Sequence, residues 1–288
     1  MQEVGSFLWT VLGRTAVQLL LLLGPAIAIG IAMHALAVFT ARHAVRVVGR
    51  KVWHYGFAML GTLVHELGHA MLCPLFGHRI TRFRPFTTDP SAPVQGSVEH
   101  AYNPANPWAQ AGNFFIAVGP LLSGSAAIYL LARMLLPSAS FEALPQIDPS
   151  QGQGLGGSLL ALARQALAVV LGTLSSLFRL DHLGRWTFWL FLFLSFSIST
   201  GVHLSTADLR GAWKGLLVLV LALLLLNLLL GLFLDPTAQV VGLLGPGLGV
   251  LLGVMVFALT LLALAALWFR AISGLRDLLV RPSGKESA

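Results

Sequence analysis

Long apolar runs separated by short polar stretches set the pattern of this chain. Runs over 16–39, 52–76, 114–136, 186–203, 216–234 and 250–269 are each close to the roughly 20 residues that a helix needs to cross a bilayer. Between the third and fourth runs, 138–185 opens with Gly, Pro, Gln and Ser. Over 159–178 it then carries Arg164, Gln165, Gly172, Thr173, Ser175 and Ser176 as a polar stripe of helical period. This part reads as a loop with an amphipathic helix lying on the membrane surface. After the second run, two short strand-like pieces at 80–86 and 96–100 flank a turn-rich stretch over 87–93, the pattern of a small hairpin. The expected architecture is an all-α polytopic membrane protein: one integral membrane domain over 1–288, about six transmembrane helices, a short β-hairpin-like loop after the second, and a basic tail over 270–288.

Composition agrees and narrows the function. Of 288 residues, 56% are hydrophobic and only 10% charged, with a mean hydropathy of +0.81, a balance that excludes a water-soluble globule. A net charge of +7 would suit nucleic acid, but Lys and Arg gather at the ends of apolar runs and read as interface anchors, so no nucleic-acid partner is expected. Cys73 is the single cysteine, which excludes an internal disulfide framework and a Cys-rich zinc site. The first 13 residues include Glu3 and lack a basic start, so the first apolar run is expected to stay as a membrane helix. In a six-span arrangement the basic residues divide almost evenly between the two sides, favouring cytoplasmic termini only slightly. The expected location is multi-pass in the plasma membrane of a prokaryote.

The chemistry concentrates in the second run, at His65-Glu66-Leu67-Gly68-His69. Ionisable groups are costly inside a membrane and mark function there. On a helix His65 and His69 stand one turn apart on one face, where both imidazoles can ligate one Zn2+. Glu66 sits about 100° round the same turn, beside the metal's open position, as a general base rather than a ligand. At this chain's His and Glu content, an HExxH arrangement arises by chance about 0.005 times per sequence.

A catalytic zinc takes three protein ligands, often with one carboxylate. Asp208, in a polar interruption over 201–211 after the fourth run, is the expected third ligand, with His203 the alternative. Asp208 also suits a helix N-cap, before Leu209-Arg210-Gly211-Ala212-Trp213. If it is a ligand, the second and fourth runs must end on the same face, which implies six crossings rather than seven. Cys73 lies about 12 Å of helix rise from His65 and is read as packing. His34 is expected to make a helix contact, and His78, Glu99 and His100 to be ordinary loop residues.

With these residues in place the sequence resembles the site-2 protease family of intramembrane zinc metalloproteases. The resemblance rests on His65 to His69 in an apolar helix, Gly77, the strand-forming loop with Gly96-Ser97-Val98-Glu99, Gly119-Pro120 in the next run, and the late Asp208. It implies Zn2+ held by His65, His69 and Asp208, with Glu66 as general base for zinc-activated water. Membrane-protein or peptide substrates would be hydrolysed in or near the bilayer, with an exposed strand edge receiving the unwound substrate. The sequence departs from the family around Asp208, where Ala207 precedes it, glycine is delayed to Gly211, and Thr200 and His203 replace the usual Asn and Pro. Ser123 likewise stands where Asn is common. The competing readings are a catalytically inactive membrane scaffold of the same fold, against which the intact Glu66 argues, and a zinc hydrolase acting on lipid.

Overall fold

The structure, a computed structural model, describes residues 2–136, 164, 167–168, 171–172, 174–230 and 236–280. The expected loop over 138–158, half of the amphipathic segment over 159–178 and the end of the basic tail lie outside these residues. Six apolar helices carry the fold: α1 (Gln2–Val48), α2 (Met59–Leu75), α3 (Pro107–Leu135), α4 (Trp186–Ser199), α5 (Thr206–Leu230) and α6 (Pro236–Val280). A short π-helix, Trp53–Ala58, leads into α2, and a two-stranded sheet, β1 (Arg79–Arg84) and β2 (Ser97–Ala101), follows it. Among the described residues four helices are long and apolar enough to cross a membrane, those over Gly5–Val48, Pro107–Leu135, Thr206–Leu230 and Gly247–Leu279, while Trp186–Ser199 is a shorter apolar helix. Such helices mark a membrane protein.

Local signals explain where the elements stop. Gly49, at φ 84°, ends α1. Gly77, at φ 71°, ends α2, with the His78 N–H donating to the Cys73 carbonyl at 2.8 Å, a glycine-terminated C-cap that turns the chain into β1. Asn106 caps α3 by accepting from the Trp108 N–H at 3.0 Å, and Pro107 fills the first helical position. β1 and β2 pair antiparallel, Arg79 opposite Ala101 and Arg84 opposite Ser97, with an irregularity between Ile80 and Arg82. The hairpin is thus real, its first strand lying a residue or two before the expected limits.

Contacts fix the relative direction of the helices. α3 runs against α2: the Ser123 hydroxyl donates to the Val64 carbonyl at 2.9 Å, while the Trp108 indole donates to Leu75 at 3.0 Å. α4 runs with α2, since Phe57 packs on Phe193 and Gly61 meets Ser197 and Gly201. α5 runs against α1, with Leu204 near Gly30 and Asn227 bonded to Thr15 and Gln18. It also runs against α3, since Val202 packs on Gly124 and Gly215 lies against Gln110. α6 runs with α1, the Thr40 hydroxyl donating to Leu262 and Arg276 to the Arg46 carbonyl.

α4 and α5 therefore point the same way. The expectation that the fourth and fifth apolar runs are separate crossings in opposite directions does not hold: the polar stretch between them interrupts a path instead of reversing it. It is pinned on both sides. Gly201 lies so close to Gly61 that a Cβ there would stand 2.9 Å from the Gly61 Cα, and the Leu204 N–H faces the Gly30 carbonyl at 3.5 Å. Other limits differ too. α5 begins at Thr206 rather than at 216, because exposed Arg210 and Lys214 are carried on the helix one turn apart.

The core gathers Met33 of α1, Ile128 of α3, Phe188 and Phe191 of α4 and Met255 and Leu262 of α6. Between α1 and α5, Asn227 donates to Thr15 Oγ1 at 3.0 Å and to Gln18 Oε1 at 2.7 Å, and accepts from Gln18 Nε2 at 3.2 Å. Buried amides are tolerated in apolar surroundings when paired in this way.

Candidate metal centre

α2, α3 and the break between α4 and α5 together build one polar site inside the helical body. The distances there decide its chemistry. His65 Nδ1–H donates to the Gly201 carbonyl at 2.7 Å, and His69 Nδ1–H to the Ile116 carbonyl at 2.7 Å. A carbonyl can only accept, so each ring carries its proton on Nδ1 and leaves a lone pair on Nε2. Those two Nε2 atoms face each other at 3.2 Å. Two lone pairs so placed repel unless a cation lies between them.

Asp208 completes the set. Its Oδ1 lies 3.2 Å from His69 Nε2 and its Oδ2 3.8 Å from His65 Nε2, so that one donor atom from each of the three residues falls within 4.8 Å of the others. Tetrahedral ligands at about 2.0 to 2.1 Å from Zn2+ stand roughly 3.3 Å apart. Two imidazoles and a carboxylate so spaced could hold a metal ion, and the backbone carbonyls behind both rings supply the orienting outer contacts that metal-binding histidines need.

Asp208 holds its place through a reciprocal cap at the start of α5. The Ser205 N–H donates to Asp208 Oδ2 at 2.7 Å, and the Asp208 N–H donates to Ser205 Oγ at 3.1 Å. The same carboxylate thus accepts the cap hydrogen bond on Oδ2 while Oδ1 faces His69 and Oδ2 lies toward His65. The N-cap position expected for Asp208 is taken by Ser205, and Asp208 sits in the first turn as its reciprocal partner. His203, the alternative third ligand, stands outside the cluster. Its ring packs against His65 at a centroid distance of 5.5 Å and against His34 of α1.

Glu66 is buried at 7% exposure and borders a cavity of about 270 Å³ with His65, Gly96, Thr200, Gly201 and His203. The loop before β2 comes close enough that a Cβ on Gly96 would lie 2.9 Å from Glu66 Oε1; only glycine lets the backbone approach that carboxylate. The loop is tied to the π-helix, the His54 ring donating to the Thr87 carbonyl at 2.8 Å and stacking on Phe86, and Tyr55 donating to Thr88. π-Turns recur near functional sites.

Small residues make these approaches possible. A Cβ on Gly68 would stand 2.7 Å from the Gly119 carbonyl, so α2 and α3 touch backbone to backbone beside His69. Ser123 secures the same seam. Cys73 is fully buried and takes no part in the cluster.

His78 and His100 pair with each other. His78 Nε2–H donates to the Ala109 carbonyl at 2.7 Å, leaving Nδ1 to accept from His100 Nδ1–H at 2.9 Å, an ordinary hydrogen bond in length. Tyr102 stacks on His78. Burial, and then the neighbouring His78, push the pKa of His100 below the usual histidine value. Glu99 meets Arg82 at 3.8 Å on the exposed face. None of these three reaches the metal cluster.

The roles of Gly96 and of the Gly201 and Ile116 carbonyls were missed from sequence, whereas the helix contact expected of His34 is made, with His203 as its partner. Only Gly96, the first residue of the second strand-like piece, carried a local signal. Searches of family models, of curated proteins and of solved structures find no match to this chain.

Proposed function

We propose that this chain is an intramembrane zinc metalloendopeptidase, similar to the site-2 protease family, that hydrolyses peptide bonds of membrane-associated substrates. The observation that carries the reading is the convergence of His65 Nε2, His69 Nε2 and the Asp208 carboxylate beside a buried Glu66 that lines a cavity together with His65. His65, His69 and Asp208 would hold the ion. Zn2+ in such a site supplies Lewis acidity toward a carbonyl and lowers the pKa of water. Glu66 takes the proton that water loses and returns it to the leaving amine nitrogen, the two tasks of one carboxylate acting as base and then acid. The loop at Gln95 and Gly96 walls the cavity, and the backbone there is positioned to orient an extended peptide over Glu66.

The same reading gives five membrane crossings: α1, the path from Trp53 through α2, α3, the interrupted path of α4 and α5, and α6. An interruption at membrane depth is tolerated where protein and a polar cavity surround it, and here it delivers the Gly201 carbonyl and Asp208 to the site. A metal-free scaffold would have no use for Glu66, which is unneeded for holding the ion.

The test uses detergent-purified protein on panels of helical membrane peptides and of lipids. Peptide cleavage that falls about 10²- to 10⁴-fold in Glu66→Gln, with metal content unchanged, is the expected result. Lipid hydrolysis without peptide cleavage, or peptide cleavage that survives in Glu66→Gln, would overturn it.

A further inference from the structure

The contact between His34 and His203 lies outside the proposed catalytic set and joins α1 to the break between α4 and α5. Its geometry closely repeats that of the metal pair. The His34 and His203 Nδ1 atoms are 3.3 Å apart, their ring centroids 4.8 Å apart and their planes at 68°. For His65 and His69 the corresponding values are 3.2 Å, 4.8 Å and 78°. The imidazole pair His78 and His100, joined by an N–H···N hydrogen bond, stands closer, at 2.9 Å. Two imidazoles sharing a tetrahedral ion at about 2.0 to 2.1 Å stand roughly 3.3 Å apart.

The surroundings leave room for such an ion's remaining ligands. His203 lines the same cavity as His65 and Glu66, as do Ala37, Val38 and Ala41 of α1. His34 precedes those three by three, four and seven residues, so it stands on the same helix face. The cavity therefore reaches the pair from the His203 side.

We propose that His34 and His203 form a second divalent-metal site beside the catalytic centre, weaker because two imidazoles, rather than two imidazoles and a carboxylate, hold the ion. Neutral nitrogen ligands select Zn2+, Co2+, Ni2+ or Cu2+ over Ca2+ and Mg2+. Water from the cavity fills the other positions. The catalytic reading does not depend on this site, nor the site on that reading.

The experiment titrates Co2+ into untagged, detergent-purified full-length protein stripped by a chelator, following the visible absorption bands of the ion and its competition with a colorimetric chelator. The parent is expected to bind two equivalents, the second at least about tenfold more weakly. His34→Ala and His203→Ala are each expected to bind one fewer than the parent, and His69→Ala to lose the tighter equivalent while keeping the weaker. If His34→Ala lost both, His34→Gln, which preserves a polar partner for His203, decides: loss of the weaker equivalent alone supports the site. Binding in His34→Gln and His203→Ala equal to that of the parent would overturn it and leave the pair a hydrogen-bonded helix contact. Failure of the catalytic site would show differently, as no change between parent and His69→Ala.

Discussion

Gly201→Ala tests how the helix break supports the metal centre. A methyl group there would meet the Gly61 carbonyl and lie 2.9 Å from the Gly61 Cα, against about 3.5 Å or more for carbon atoms in ordinary contact. Both partners are backbone, so no side chain can swing aside. Relief requires the segment around residue 201 to move from α2 by at least about 0.5 Å, the tolerance within which a site must hold its ligands. The Gly201 carbonyl moves with it, and its 2.7 Å bond from His65 Nδ1–H stretches out of good geometry. Losing such an orienting partner costs about 10- to 100-fold in metal affinity, or about 1.4 to 2.8 kcal/mol. Overpacking adds a stability loss of about 1 to 3 kcal/mol. The assay is Zn2+ affinity by chelator competition, with thermal unfolding measured in parallel. Gly56→Ala is the control, because a Cβ at Gly56 meets nothing within 4 Å. Parent-like affinity in a folded Gly201→Ala protein, or an equal loss in Gly56→Ala, would refute the reasoning.

Two further predictions concern topology and pH. If α4 and α5 form one interrupted crossing, the two termini lie on opposite sides of the membrane; reporter fusions at each end should give opposite readouts, and the same readout would restore an even number of crossings. His100 is held neutral more strongly in the folded protein than in the unfolded chain, so its contribution favours folding above the ordinary histidine pKa near 6.5 and is lost as pH falls below it. His100→Gln should therefore flatten the fall in melting temperature between pH 7 and pH 5; an unchanged slope would contradict the assignment.

Much of the site was legible because it is local. His65, Glu66 and His69 lie within five residues, and helical period alone puts both imidazoles on one side. The hairpin was legible for the same reason, two strand-like pieces around a turn. Asp208 could be chosen because a carboxylate beside an apolar run asks for a partner, and the structure sets it against both histidines even though its neighbours depart from the family pattern. Direction was not legible. Hydropathy records where apolar runs begin and end, but the same polar stretch at 201–205 can reverse a chain or let it continue, and the choice is made by Gly61 and Gly30, far away in sequence. The His34–His203 contact is equally non-local, joining residues 169 positions apart. Helix limits shifted because Arg210 and Lys214 look like the end of a span, yet a helix can carry exposed cations beyond its apolar part.

The most direct test of the central claim is the zinc content of the purified protein, measured by elemental analysis in the parent, His65→Ala and Asp208→Ala after saturation with Zn2+ and removal of weakly held metal. One tightly held equivalent in the parent, absent from both variants, is the predicted result. Tight zinc retained in Asp208→Ala would remove the carboxylate from the site, and a parent that holds no zinc at all would contradict the account.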